Sequence, residues 1–290
     1  MKFKSAKTWQ YQKRHTGKKY NTCWHLSTGP SEDVRRKDQP SVSMGLSVVV
    51  MRIISERTNE LQQIPLAMKT TYYRFDPRPT EPLQFTAVRY QPDSPPSDGL
   101  TLILAHATGT HKETWAPLLE YLFTAQLTSD SNSPKILEAW SMECPNHGES
   151  AVINEQNIQE KYPNFAWSGW IYPRAMLAFL RSKPDDIDFT RRSLVALGHS
   201  HGGNSLILLD SLQNEFQFKG FILLDPTLGR ESPAKDHMQR VLTQLTWNKR
   251  DTWPNRKAAL KDLSKQPGFR NWHPEVLRLF LVGHILLIYD

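Results

Sequence analysis

The stretch RSLVALGHSHGGNSLILLDSL, residues 192–212, constrains this chain more than any other. An apolar, strand-like run ends at Gly198-His199-Ser200-His201-Gly202, and an apolar helical run begins at once. A serine held on so abrupt a strand-to-helix turn needs glycines beside it, because a Cβ there would collide with neighbouring backbone. G-x-S-x-G alone is a weak pattern. Here the required strand precedes it and the required helix follows it, with Gly203 adding room. Ser200 is therefore a candidate nucleophile, with a helix N-terminus aimed at negative charge developing beside it.

A strand-turn-helix unit of this kind belongs in a parallel sheet, and the rest of the chain alternates accordingly. Strand-like runs are SVVVMRII (47–54), KTTYYRFD (69–76), QFTAVRYQP (84–92), LTLILAH (100–106), KILEAWSME (135–143) and FKGFILLDP (218–226). LTLILAH is continuously apolar, as a strand buried on both faces is. Between these runs, residues 112–127 carry helical spacing at Trp115, Leu118, Leu119 and Leu122, and residues 167–183 read as a helix that Pro173 kinks or restarts. The expected fold class is α/β. Residues 231–281 read as helical, with no strand until the end. They suggest a lid, whose Trp247, Trp253 and Trp272 either line an apolar acyl pocket or anchor the helices. The expected division is a basic extension over 1–45, a core over 46–230, a helical cap over 231–281 and a divergent apolar tail over 282–290.

Charge bounds the function further. The net charge is +7, and residues 1–40 alone hold ten Lys/Arg against three acids. The remaining body is balanced and offers no nucleic-acid-binding surface, so the basic pI describes a solvated arm. No run is long enough to span a bilayer. Cys23 and Cys144 do not make a disulfide framework and suit a reducing, intracellular compartment. Cys144 and His147 have ligand-like spacing, but no second pair completes a metal site, so neither a metal nor another cofactor is expected.

Acyl transfer needs a second oxyanion donor, supplied in such sheets by the loop after an earlier strand. LTLILAHATGTHKETW offers that loop: His106 ends the strand, and Ala107, Thr108 and Gly109 form the turn. Together with ECPNHGESA and GHSHGG, it resembles the α/β-hydrolase superfamily. The likeness is to a fungal group of peroxisomal lipases and α/β-hydrolases of host-selective toxin biosynthesis, and residues 248–281 resemble the cap helices of that group. It covers about residues 60–281. It implies an α/β-hydrolase fold, a mostly parallel sheet under a helical cap, with its final strands missing here. It also implies Ser200 as nucleophile, with an oxyanion hole shaped by His106 and the backbone N–H groups of Ala107, Thr108 and His201, and a structural Gly148.

The family order is nucleophile, acid, histidine. Asp225, at the end of FILLD, is a possible acid, although a strand-end carboxylate opening the Asp225-Pro226 turn fits as well. The general-base histidine is unknown: His201 points away from the nucleophile, His237 and His273 fall in the cap region, and His284 lies near the C-terminus. The expected function is a serine hydrolase acting on an ester, thioester or lactone of a lipid-like or polyketide-like acid, in fungal toxin or other secondary-metabolite biosynthesis. The rival expectation is a catalytically inactive truncated paralogue or non-catalytic scaffold. The expected partner is a small-molecule acyl substrate. A peroxisomal location is implied by the resemblance alone; the chain ends Ile-Tyr-Asp rather than in a Ser-Lys-Leu type signal, and a cytoplasmic location is the alternative.

Overall fold

The computed structural model describes residues 3–5, 68–130, 133–162, 167–230, 232–248, 250 and 252–287. The basic extension, apart from Phe3–Ser5 (β1), and the strand expected over 47–54 lie outside them. The principal sheet has six strands: Lys69–Phe75 (β2), Phe85–Gln91 (β3), Leu100–Ala105 (β4), Ile136–Met142 (β5), Ser193–His199 (β6) and Phe218–Leu224 (β7). Their spatial order is β2-β3-β5-β4-β6-β7. The β2–β3 and β3–β5 pairs are antiparallel, and β4 pairs in parallel with both β5 and β6, as β6 does with β7. The sheet is thus mostly parallel with an antiparallel edge, as expected of an α/β-hydrolase fold.

Sequence explains which strands are central. In β4 and β5 the last five residues are all buried, so both faces must be covered, and the apolar runs allow it. In β2, burial alternates, as at an edge. Parallel neighbours require crossovers, and helices provide them. Ala116–Ala125 (α1) joins β4 to β5 behind a 3-10 turn at Lys112–Trp115. Gly148–Ile153 (α2), Glu155–Lys161 (α3) and Ile171–Arg181 (α4) lie between β5 and β6, and His201–Ser211 (α5) joins β6 to β7. Pro173 is the third residue of α4, where its missing N–H removes no helical hydrogen bond, so it starts the helix rather than kinking it.

Two cores flank the sheet. On one face Phe85, Ile103, Trp140 and Met142 meet Tyr172, Met176, Phe179 and Leu180 of α4 and Leu206 and Leu209 of α5. On the other, Val88, Tyr90, Leu102 and Leu104 meet Leu119 and Phe123 of α1. The chain passes from β4 to β5 on one side, and from β5 back across β4 to β6 on the other. This reversal of strand order beside β4 is the place where open α/β sheets bind ligands, beyond the carboxyl ends of the strands.

The 231–281 segment holds Pro233–Asn248 (α6) and Arg256–Leu263 (α7), and Pro274–His284 (α8) follows from it. The expectation of no strand before its end misses Thr252–Trp253 (β8), which pairs with β1; Ile285–Leu287 (β9) pairs with β1 from the other side. Two residues carry too little pattern to be read as a strand. Trp253 and Trp272 pack into a separate cluster with Leu263, Phe269, Leu277 and Phe280, so both anchor the helices. The side chain of Trp247 lies outside the described residues.

Trp140 is fully buried, with Tyr73, Phe189 and Phe179 rings at 5.0, 5.5 and 5.7 Å. Trp140→Ala empties the largest side-chain site in this core and should lower unfolding free energy by ~3–5 kcal/mol. Urea titration should show a lower midpoint at an unchanged slope.

Candidate active site

Four loops leave the carboxyl ends of neighbouring strands and converge: 106–110 after β4, 143–148 after β5, Ser200 after β6 and Asp225 after β7. Ser200 has φ 50° and ψ −118°, a left-handed φ that a non-glycine residue seldom adopts. Such a conformation costs ~1–3 kcal/mol and persists only where the surroundings enforce it. The enforcement is visible. The Ser200 N–H donates to the Leu224 carbonyl at 2.9 Å, and the Ser200 carbonyl accepts from the Asn204 N–H at 3.2 Å. The main chain of Ser200 is therefore tied both to β7 and to the first turn of α5. Asp225, next after Leu224, is exposed and itself has φ 45°.

The glycines of the motif are required by contact. A Cβ on Gly202 would lie 2.2 Å from the Ala105 carbonyl oxygen and 2.7 Å from that of His106. A Cβ on Gly198 would lie 2.5 Å from the Gly203 Cα. Gly202 thus sets the start of α5 directly on the end of β4, bringing the serine turn and the 106–110 loop together. The N–H groups opening α5, that of His201 included, have no partners within the helix, as at any helix start.

Hydrogen bonds hold the 106–110 loop at several points. The Ala107 carbonyl accepts from the Thr110 N–H at 3.1 Å, the Thr110 hydroxyl at 2.9 Å and His106 Nδ1 at 2.9 Å. Because the peptide is planar, clamping that carbonyl also constrains the direction of the Thr108 N–H on its opposite edge. Gly109, at φ +80°, donates its N–H to His147 Nε2 at 2.9 Å. That leaves Ala107 and Thr108 as the loop's candidate oxyanion donors.

His106 is buried, and its Nε2 accepts the Cys144 N–H at 3.0 Å while Nδ1 donates to the Ala107 carbonyl. Burial lowers its pKa to about 3. The imidazole is neutral with an assigned role for each nitrogen, so it shapes the loop and does not exchange protons. Packing around His201, against the Tyr172 ring, lowers its pKa to about 4. Burial also lowers the pKa of His199, and the nearby Asp225 charge opposes that shift.

Beneath the loops lies a charged cluster that the sequence did not announce. The Lys112 ammonium, 1% exposed, reaches Glu113 at 2.9 Å, Glu143 at 3.0 Å and Glu149 at 3.2 Å. Burial acts against this ammonium, but the charges of Glu143 and Glu113 outweigh it and its pKa rises. Burial pushes the Glu143 carboxyl upward, opposed by Lys112. Glu143 also accepts from the Ser150 N–H at 3.2 Å and the Thr86 hydroxyl at 3.0 Å, so it ties β3, β5, α2 and the Lys112 turn into one node. Gly148, with φ +47°, is fitted to this node: a Cβ there would lie 2.3 Å from a Glu143 carboxylate oxygen. His111, Glu113 and Glu143 bring ligand-type atoms within 4.8 Å of one another, but the Lys112 ammonium already supplies a cation among them. Cys144 and His147, the ligand-spaced pair, are committed elsewhere, to the Asn146 side-chain oxygen at 3.1 Å and the Gly109 N–H.

The sequence and the fold have counterparts among known proteins. The sequence model of the alpha/beta hydrolase family matches residues 102–284. The chain belongs to this family. Among the hydrolases it resembles, the "Type I acyl-CoA thioesterase mpaH" of Penicillium roqueforti is 26% identical over 169 residues, covering 57% of this chain and 36% of that protein. Its namesake mpaH' of Penicillium brevicompactum is 26% identical over 180 residues, covering 61% and 38%. The chain therefore spans under two fifths of the length of the curated relatives it matches. Among solved hydrolase structures, the peroxisomal alpha-beta-hydrolase Lpx1 of Saccharomyces cerevisiae superimposes with a TM-score of 0.55 at 21% identity, covering 75% of this chain and 62% of that one. That likeness shows the shared fold.

His106 gives a pH signature. An unfolded histidine takes up its proton near pH 6.5 and folded His106 near pH 3, so between these values the unfolded chain binds the extra proton. The stability His106 contributes is complete above pH 6.5 and is lost as pH falls toward 3. His106→Gln should reduce the slope of unfolding free energy against pH by about one proton's worth across that window, measured by urea denaturation at successive pH values.

Proposed function

We propose that this chain carries the nucleophile-bearing portion of a serine acyl hydrolase. The observation that carries this reading is the φ 50° turn at Ser200, set by Gly202 against the end of β4 and the 106–110 loop. The substrate is an ester, thioester or lactone of a lipid-like or polyketide-like acid. The names of the Penicillium relatives support an acyl-CoA thioester within that class. A place in fungal secondary metabolism, and a peroxisomal location, are supported by the motif resemblance and by the name of the yeast relative.

In this mechanism Ser200 Oγ attacks the acyl carbonyl as a general base takes its proton. The carbonyl electron pair moves onto oxygen, where the N–H groups of His201 and of Thr108 or Ala107 stabilise it. Collapse expels the thiol or alcohol, which leaves with the proton returned by the base. Water, activated by the same base, then releases the acid and restores the serine. Asp225 is proposed as the carboxylate that orients the base, since it follows Leu224, the residue bonded to the Ser200 N–H. His106 and His147 are unsuited to the base role because each Nε2 already accepts a backbone N–H. The base histidine stays unassigned.

One observation favours the rival reading of a non-catalytic scaffold: His106 and His147 both serve as fixed hydrogen-bond acceptors. A fluorophosphonate probe separates the two readings. Covalent labelling of the folded chain at Ser200, lost in Ser200→Ala, is expected, together with a ~10³–10⁶-fold loss of acyl-CoA or p-nitrophenyl ester hydrolysis in that variant. Asp225→Asn should keep the labelling site and lower turnover ~10²–10⁴-fold. An unlabelled, folded wild-type chain would establish the scaffold.

A further inference from the structure

We propose that His147 is a positioning residue for the oxyanion loop, acting as half of a reciprocal histidine latch. This rests on the serine-hydrolase reading for its effect on rate, but the latch itself is a matter of geometry. Two loops lie side by side, 106–110 after β4 and 143–148 after β5, and each sends one imidazole to the other's backbone. From the first loop, His106 Nε2 accepts the Cys144 N–H at 3.0 Å. From the second, His147 Nε2 accepts the Gly109 N–H at 2.9 Å. The two rings meet edge to face with centroids 5.2 Å apart.

Each latch is set by its other nitrogen. His106 Nδ1 faces the Ala107 carbonyl at 2.9 Å, and His147 Nδ1 faces the Asn146 side-chain oxygen at 2.7 Å. An oxygen that accepts requires N–H at Nδ1, which leaves the Nε2 lone pair to receive a backbone N–H. The base of the His147 latch is firm as well. The His147 N–H donates to the Cys144 carbonyl at 2.8 Å, and its carbonyl accepts from the Ala151 N–H at 2.9 Å, at the start of α2.

The consequence falls on the candidate oxyanion donors. Ala107 and Thr108 lie between the two latched points, His106 and Gly109. Gly109 sits at φ +80°, and bonding its N–H to His147 selects one orientation of the Thr108–Gly109 peptide. Loss of that acceptor releases the Thr108–Gly109 peptide and leaves the Ala107 carbonyl clamp as the remaining restraint on the Thr108 N–H, which then drifts out of line with the carbonyl oxygen above Ser200. A donor misplaced by about 1 Å costs ~100-fold in rate without a matching change in substrate binding.

Two variants of the full chain test this. His147→Leu keeps apolar bulk and removes the acceptor; His147→Gln keeps an oxygen acceptor within reach of Gly109. Hydrolysis of p-nitrophenyl octanoate and octanoyl-CoA is measured alongside hydrogen exchange of the peptide spanning residues 106–112. His147→Leu should lose exchange protection at Gly109 and ~10–100-fold in kcat, with KM within about twofold. His147→Gln should restore protection and bring kcat within about threefold of wild type. Equal protection in wild type and His147→Leu overturns the latch whatever the chain catalyses. Loss of protection with unchanged kcat in an active chain overturns the positioning role. A wild-type chain that hydrolyses neither probe, yet loses protection in His147→Leu, supports the latch and sinks only the hydrolase reading.

Discussion

Everything at the candidate site depends on the backbone contact between Gly202 and the end of β4. Helix α5 can begin where it does only because no side chain separates it from the Ala105 and His106 carbonyls. That contact sets the height of Ser200 above the sheet and its distance from the 106–110 loop. Main-chain atoms at such separations leave little freedom, so the left-handed φ of Ser200 is a consequence of sheet packing. The strain is held by β7 through the Leu224 carbonyl and by α5 through Asn204.

The loop opposite is fixed by a different means. Hydrogen bonds and one buried ionic node hold it. Lys112 and Glu143 join the turn after the loop to the end of β5, and His106 and His147 stitch the loops to each other. Buried polar groups are expensive unless every one is partnered, and a network that meets this condition permits few alternative arrangements. Preorganised N–H groups need such rigidity, since donors that must reorient during reaction give up most of their stabilising effect.

Much of this was legible in the residues. The continuous apolar run at 100–106 marked a strand buried on both faces, and the glycines around Ser200 marked a turn that tolerates no Cβ. These signals are local and steric, so they survive being read one segment at a time. Glu143 and His147 sat in a recognisable motif, but their partners lie 31 and 38 positions upstream, at Lys112 and Gly109. Nothing in the local sequence singles out Lys112, and only folding shows its ammonium enclosed by three carboxylates.

The sequence by itself therefore determined the α/β class, the strand and helix alternation and the serine turn, because periodicity and glycine placement act within a few residues. The tertiary structure alone decided which histidines serve as fixed acceptors, that Pro173 starts a helix, and that the tryptophans at 253 and 272 anchor their own small core. Those outcomes depend on which groups meet across the switch in strand order. A hydrogen bond between loops distant in the chain leaves no periodic trace in either one.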